Sequence, residues 1–154
     1  MKWGKLRVLA GVLLILIVGL TVYVRLAPTD PQSWQQQGYP SGLGERVSSR
    51  GYIWREAVSE DGKKQLMALQ QIITDTPRTK RVAGSIEEKQ ITFVTRSLVM
   101  GFPDYTTIGV YDGLIEDADQ RYLEINGRLR FGTLDFGVNA KRIKGWLAEF
   151  KAGR

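Results

Sequence analysis

Residues 8–24, VLAGVLLILIVGLTVYV, run for seventeen positions without a charge. At ~1.5 Å rise per residue such a helix spans about 26 Å, slightly less than a ~30 Å hydrocarbon core. Trp3 and Tyr23 at the two interfaces, with Lys5 and Arg25 snorkelling outward, make up the difference. The pattern predicts a transmembrane helix. A cleaved signal peptide fits less well, because its apolar core is about 7–15 residues and it ends in small residues. Cleavage after Ala27 would place Arg25 at the −3 position and Pro28 just downstream, so the helix is read as an uncleaved anchor.

The pattern then breaks. Residues 27–50 hold three Pro, three Gly and little periodicity, which is linker composition. From Gly51 it resumes. Residues 52–58 (YIWREAV) read as a strand, Ser59 as a helix N-cap, and Glu60 and Asp61 as acidic first-turn residues. Leu66, Leu69 and Ile73 recur at helical spacing until Thr76-Pro77 stops the helix. A short strand near 81–83 is followed by β-branched runs at 91–100 and 105–111 and by an acidic turn at 112–120. Residues 121–131 alternate: Leu123, Ile125, Leu129 and Phe131 face one way, Glu124, Asn126, Arg128 and Arg130 the other. Ile143, Trp146, Leu147 and Phe150 form the i, i+3, i+4, i+7 stripe of a closing amphipathic helix. Short connections between the later strands favour antiparallel pairing. The expected class is α+β: a transmembrane helix, then a small, mainly antiparallel sheet with helices packed on it. The divisions are 1–26 for stub and anchor, 27–50 for linker and 51–152 for the domain.

Charge changes the picture in two ways. The net charge of +6 suggests nucleic acid until it is divided. Lys2, Lys5, Arg7 and Arg25 flank the apolar run, so four of the 22 basic residues belong to topology and 18 remain against 16 acidic ones. Nucleic-acid binding loses its support. The same asymmetry, three basic residues before the run and only Arg25 in the twenty after it, orients the chain by the positive-inside rule. The expected placement is single-pass in the plasma (inner) membrane, N-terminus cytoplasmic and domain extracytoplasmic, or periplasmic. The absence of Cys and His excludes disulfides, thiol chemistry, His-based triads and the usual His or Cys metal sites. No pattern asks for a cofactor.

The densest polar cluster is RLRFGTLDFGVNAKR, 128–142. Arg128 and Arg130 share a strand face, Gly132 and Gly137 permit a sharp loop, and Asn139 reads as the N-cap of a helix whose first turn carries Arg142. Guanidinium groups beside a helix N-terminus make an anion site for a phosphate or carboxylate, on a lipid headgroup or envelope polymer. The alternative is a structural corner in which Asp135 accepts from Arg130 or Arg142. A second cluster, 95–105, puts Arg96 in a strand and Asp104 in a Gly-Phe-Pro-Asp turn that turn chemistry alone explains. Asp112, Glu116, Asp117 and Asp119 lack the spacing and the tight-turn Gly of a calcium loop, so no metal is expected. No nucleophile elbow or phosphate-cradling Gly loop is present.

The chain resembles a bacterial family known only as domain of unknown function 1499, over residues 75–150. The resemblance rests on TPRTKRVAGS (76–85), TRSLVMGFPDY (95–105) and RLRFGTLDFGVNAKRIKGWL (128–147). The last stretch matches the family's Arg-x-Gly-x-x-Asp-x-Gly-x-Asn-x-x-Arg at Arg130, Gly132, Asp135, Gly137, Asn139 and Arg142. The apolar start with RLAPTDPQSW (25–34) is similar to membrane-anchored members. Members often carry Ser beside these arginines, where this chain has Leu129 and Thr133, so a hydroxyl role at 129 is not available. The family supplies no activity.

The leading expectation is a non-enzymatic, membrane-tethered binding or envelope-maintenance module with an anion-binding surface at Arg96, Arg128, Arg130, Asn139 and Arg142. Its partners would be the lipid bilayer and an anionic lipid, an envelope polymer or a membrane protein. The alternatives are a small envelope hydrolase or transferase using carboxylates such as Asp104 and Asp135, and an accessory subunit docking through its transmembrane helix. Gly11 and Gly19 offer that helix small faces without GxxxG spacing.

Overall fold

The computed structural model describes residues 2–39, 42–58, 60–115 and 118–153. Helix α1 (Lys2–Leu26) is 25 residues long, about 37 Å at ~1.5 Å per residue. Its span Trp3–Leu26 has a mean hydropathy of 2.4 and is almost wholly exposed, so it is long and apolar enough to cross a membrane. A single 3₁₀ turn (Gln32–Trp34) follows.

The remaining elements are β1 (Gly44–Ser48), β2 (Gly51–Ala57), α2 (Lys63–Thr74), β3 (Thr79–Ser85), β4 (Gln90–Arg96), β5 (Pro103–Ile115), β6 (Ala118–Leu129) and α3 (Val138–Ala152). Six strands form one antiparallel sheet in the order β1-β2-β6-β5-β4-β3. Both further helices cover one face, which establishes the α+β class. Sheet residues Tyr52, Trp54, Phe93, Ile108, Leu123 and Ile125 meet Leu66, Leu69 and Ile73 of α2 and the stripe Ile143, Trp146, Leu147 and Phe150 of α3. Both stripes are those the spacing predicts. The Trp146 indole N–H donates to Thr76 Oγ1 at 2.8 Å and ties α3 to the end of α2. At Gly127 a Cβ would lie 2.7 Å from Ile143 and 3.0 Å from Asn139 Oδ1, so a glycine lets α3 approach the sheet.

Several boundaries differ from expectation. The strand expected at 91–100 ends at Arg96, and the region of the acidic turn is mostly strand, with Asp112 opposite Arg121 in the β5–β6 hairpin. Helix α2 starts at Lys63 after Gly62, whose φ is +70°, and Asp61 Oδ1 accepts the Lys63 N–H at 3.0 Å. The expected cap Ser59, like Glu116 and Asp117, lies outside the described residues. Residues 27–50, read as a linker, hold strand β1 and a strap that lies on the sheet.

That strap explains the second sheet face. Glu124, Asn126 and Arg128 do point away from the helices, yet Glu124 and Asn126 are buried. The ring of Trp34 stacks on Tyr105 with centroids 4.3 Å apart. The Gly38 N–H donates to Glu124 Oε1 at 2.6 Å, and Arg55 Nη2 donates to the Tyr39 carbonyl at 2.7 Å. Beneath the strap, Arg55 and Glu124 form a 2.6 Å ion pair with both side chains about 1% exposed.

Candidate functional site

The residues singled out in the sequence separate onto two sides of the sheet. Arg128 and Arg130 emerge from the end of β6 on the strap side, as their alternation requires. Arg130 donates to the carbonyls of Ala27 (3.1 Å) and Pro28 (2.7 Å), and its guanidinium lies 4.7 Å from the Phe131 ring centroid. It clamps the chain where it leaves α1. Arg128 donates to the Trp34 carbonyl and to Thr107 Oγ1 (2.9 Å), and it sits 5.5 Å from the Trp34 ring centroid. Arg128 therefore holds the strap to the sheet.

Asn139, Arg142, Asp104 and Asp135 lie on the helix side. Asn139 is not the cap of α3; it is inside the helix and fully buried. The cap position belongs to Gly137 (φ +75°), and the capping oxygens come from Asp135. That carboxylate accepts the Asn139 backbone N–H (3.1 Å) and side-chain N–H (2.7 Å). The exposed chemistry of an N-cap and the buried work of this amide follow from a two-residue difference in where the helix starts. Arg142 donates to Asn139 Oδ1 (3.2 Å) and pairs with Asp104 at 2.8 Å. Neither partner foreseen for Asp135, Arg130 or Arg142, is the one it takes. Burial pushes the Asp104 carboxyl above its ordinary value, with Asp135 adding to the rise, while Arg142 draws it back.

Two cavities accompany these groups. The smaller, about 510 Å³, lies at the anchor end of the helix side and is lined by Arg78, Arg96, Asp104, Asp135 and Arg142. Arg96 donates to the Gly101 carbonyl at 2.9 Å, and Arg78 to the Arg96 carbonyl at 3.2 Å. The larger, about 1190 Å³, is a cleft between the strap, the β1–β2 hairpin and β6. Its walls carry Tyr39 and Tyr122, the amides of Gln36 and Asn126, and the guanidinium groups of Arg50 and Arg128.

Arg128 dominates that cleft. Its Nε is shut off from solvent without an acceptor among the described residues. The salt bridges among those residues give it no carboxylate, and burial lowers its pKa from the ordinary value. Burial likewise holds the Tyr111 hydroxyl above its usual range, on the same sheet face. Arg50, on the β1–β2 turn, is exposed at the cleft wall. Sequence reasoning missed Arg50, Arg55 and Tyr122, because only the strap, which has no periodicity, makes a cleft of that face.

The expected anion surface is thus divided. Arg128 faces the cleft, Arg130 is engaged by carbonyls, and Arg96 and Arg142 line the smaller cavity. Gly132 and Gly137, at φ +92° and +75°, shape the loop between the sides. Among the described residues no cluster of acidic groups can hold a metal, and Asp112 pairs with Arg121 at 2.6 Å. A model of the family described as "Protein of unknown function (DUF1499)" matches residues 26–150. No curated protein and no solved structure matches the chain.

Proposed function

The chain belongs to the DUF1499 family of proteins of unknown function, and we propose that it is a non-enzymatic, membrane-anchored module that binds a small anionic ligand in the cleft beneath its strap. The observation that carries this reading is Arg128. A guanidinium covered by protein, with an idle N–H and no salt bridge among the described residues, gains most from an anion that completes its hydrogen bonds. Arg50 supplies a second positive charge at the same wall. The tyrosines give a planar or apolar ligand body a surface to lie against, and the amides of Gln36 and Asn126 orient its polar edges. Three basic residues before the apolar run 8–24 and one after it support a cytoplasmic N-terminus, with the cleft on the outer side of the inner membrane. The anion is then a phosphate or carboxylate of the envelope.

Calorimetric titration of the full-length protein in detergent with citrate, pyrophosphate and a sugar phosphate tests the reading. Saturable binding of at least one, weakened about tenfold or more in Arg50→Gln, is the expected result. The exposed Arg50 side chain makes this variant a probe of binding rather than of folding. Absence of saturable binding to any of the three sinks the proposal.

A second reading, an envelope hydrolase or transferase, draws on Asp104, whose raised pKa at a cavity wall is a feature of acid–base groups. Against it, Asp104 is held by Arg142 and Asp135 by Asn139, so both carboxylates are already engaged.

A further inference from the structure

The last turns of α1 do not leave the domain behind. Val24 is buried, the ring of Tyr23 meets Phe131 edge-on at 6.1 Å, and Thr21 Oγ1 lies 3.7 Å from Met100 Sδ. Arg25 donates to the Val99 carbonyl at 3.4 Å, and Arg130 holds the carbonyls of Ala27 and Pro28. Residues 97–102 therefore stand beside the final turn and a half of the helix, and Leu134 and Val138 share a cavity wall with Ser97, Phe102 and Phe131. Tyr23 and Arg25 close the apolar run, so those turns stand at headgroup height when α1 crosses a bilayer.

Residues 97–102 and the loop 132–137 expose apolar side chains that nothing in the domain covers. Leu98 is 73% exposed, Val99 78% and Phe136 85%, with Leu134 and Val138 about half exposed beside them. Phe136 also has a φ of +53°, a conformation that costs a non-glycine residue free energy. The loop holds a large aromatic ring outward at that cost and takes no packing in return. Behind these tips stand Arg25, Arg78 and Arg96. Apolar tips backed by arginines are the composition of a surface that enters a phospholipid interface.

We propose that the loops 97–102 and 132–137 seat in the headgroup layer of the membrane that α1 crosses, so that the domain lies on the bilayer in one fixed pose. The occupant of the apolar patch is the phospholipid leaflet itself. This rests on α1 being the membrane anchor and is independent of any ligand in the cleft.

The chain has no cysteine, so single nitroxide labels can be placed without background. Full-length Leu98→Cys, Phe136→Cys, Ile15→Cys and Glu87→Cys are labelled in nanodiscs of phosphatidylcholine and phosphatidylglycerol. Accessibility to oxygen and to a water-soluble nickel chelate is then read by power saturation. Ile15 lies in the middle of α1, and Glu87 on the β3–β4 turn at the far end of the sheet. Positions 98 and 136 are expected to show an oxygen-to-nickel ratio severalfold above that at 87, approaching that at 15. Water-like ratios at 98 and 136 with a lipid-like ratio at 15 overturn the seating while leaving the anchor intact. Water-like ratios at all four positions overturn both.

Discussion

The residue with the most at stake is Glu124. It is fully buried, pairs with Arg55 and accepts the Gly38 N–H. Removing one member of a buried pair leaves an uncompensated charge, whereas replacing both with apolar groups of similar volume is often near neutral. Glu124→Ala is therefore expected to lose about 3–5 kcal/mol, measured by chemical denaturation. Arg55→Met with Glu124→Leu should recover most of that loss. Equal losses in the single and double variants would mean that the strap contacts of these residues matter more than their charges. The pair was not legible in the sequence, where Arg55 and Glu124 sit at polar positions of two strands. Only the pairing of β2 with β6 sets them opposite each other, and only the strap removes the water.

At the scale of elements, α3 shows how much a pattern can reveal. Its buried stripe was readable because spacing alone decides which side chains share a helix face. Its start was not. Asn139 and Asp135 are both good capping residues, and the choice between them depends on where the chain turns. That turn is made by Phe136 and Gly137, both with positive φ. Asp135→Ala removes the acceptor of the buried Asn139 amide and is expected to cost about 2–4 kcal/mol, the sum of a cap and an unsatisfied buried donor. Thermal unfolding checks this, and a loss under about 0.5 kcal/mol would show that water or another acceptor replaces the carboxylate. Strand β6 was likewise legible as an alternating strand. What could not be read was that its polar side is also buried, since a period of two separates faces without saying what covers them.

For the whole molecule, the segment between anchor and sheet decides how the parts are joined. Its Pro, Gly and Gln content resembles a flexible linker because what holds it, backbone carbonyls taken by Arg128 and Arg130 and one stacked indole, leaves no periodic trace. Trp34→Ala is expected to release the strap and leave the sheet folded. Limited proteolysis should then cut near residues 35–39 at least tenfold faster than in the wild type, with the fragment from about residue 44 onward staying resistant. An unchanged cleavage rate would show that the arginine clamps suffice without the indole.

A free 24-residue tether would let the domain wander about 27 Å from its attachment point, sampling a volume of the space beside the membrane. With the strap fastened to the sheet, that radius of action shrinks to almost nothing. With α1 in a bilayer, the domain and its cleft then move sideways only as fast as a single helix diffuses in lipid. Lengthening the strap would loosen that coupling and reshape the cleft at once, because the same residues hold the domain in place and form the cleft wall.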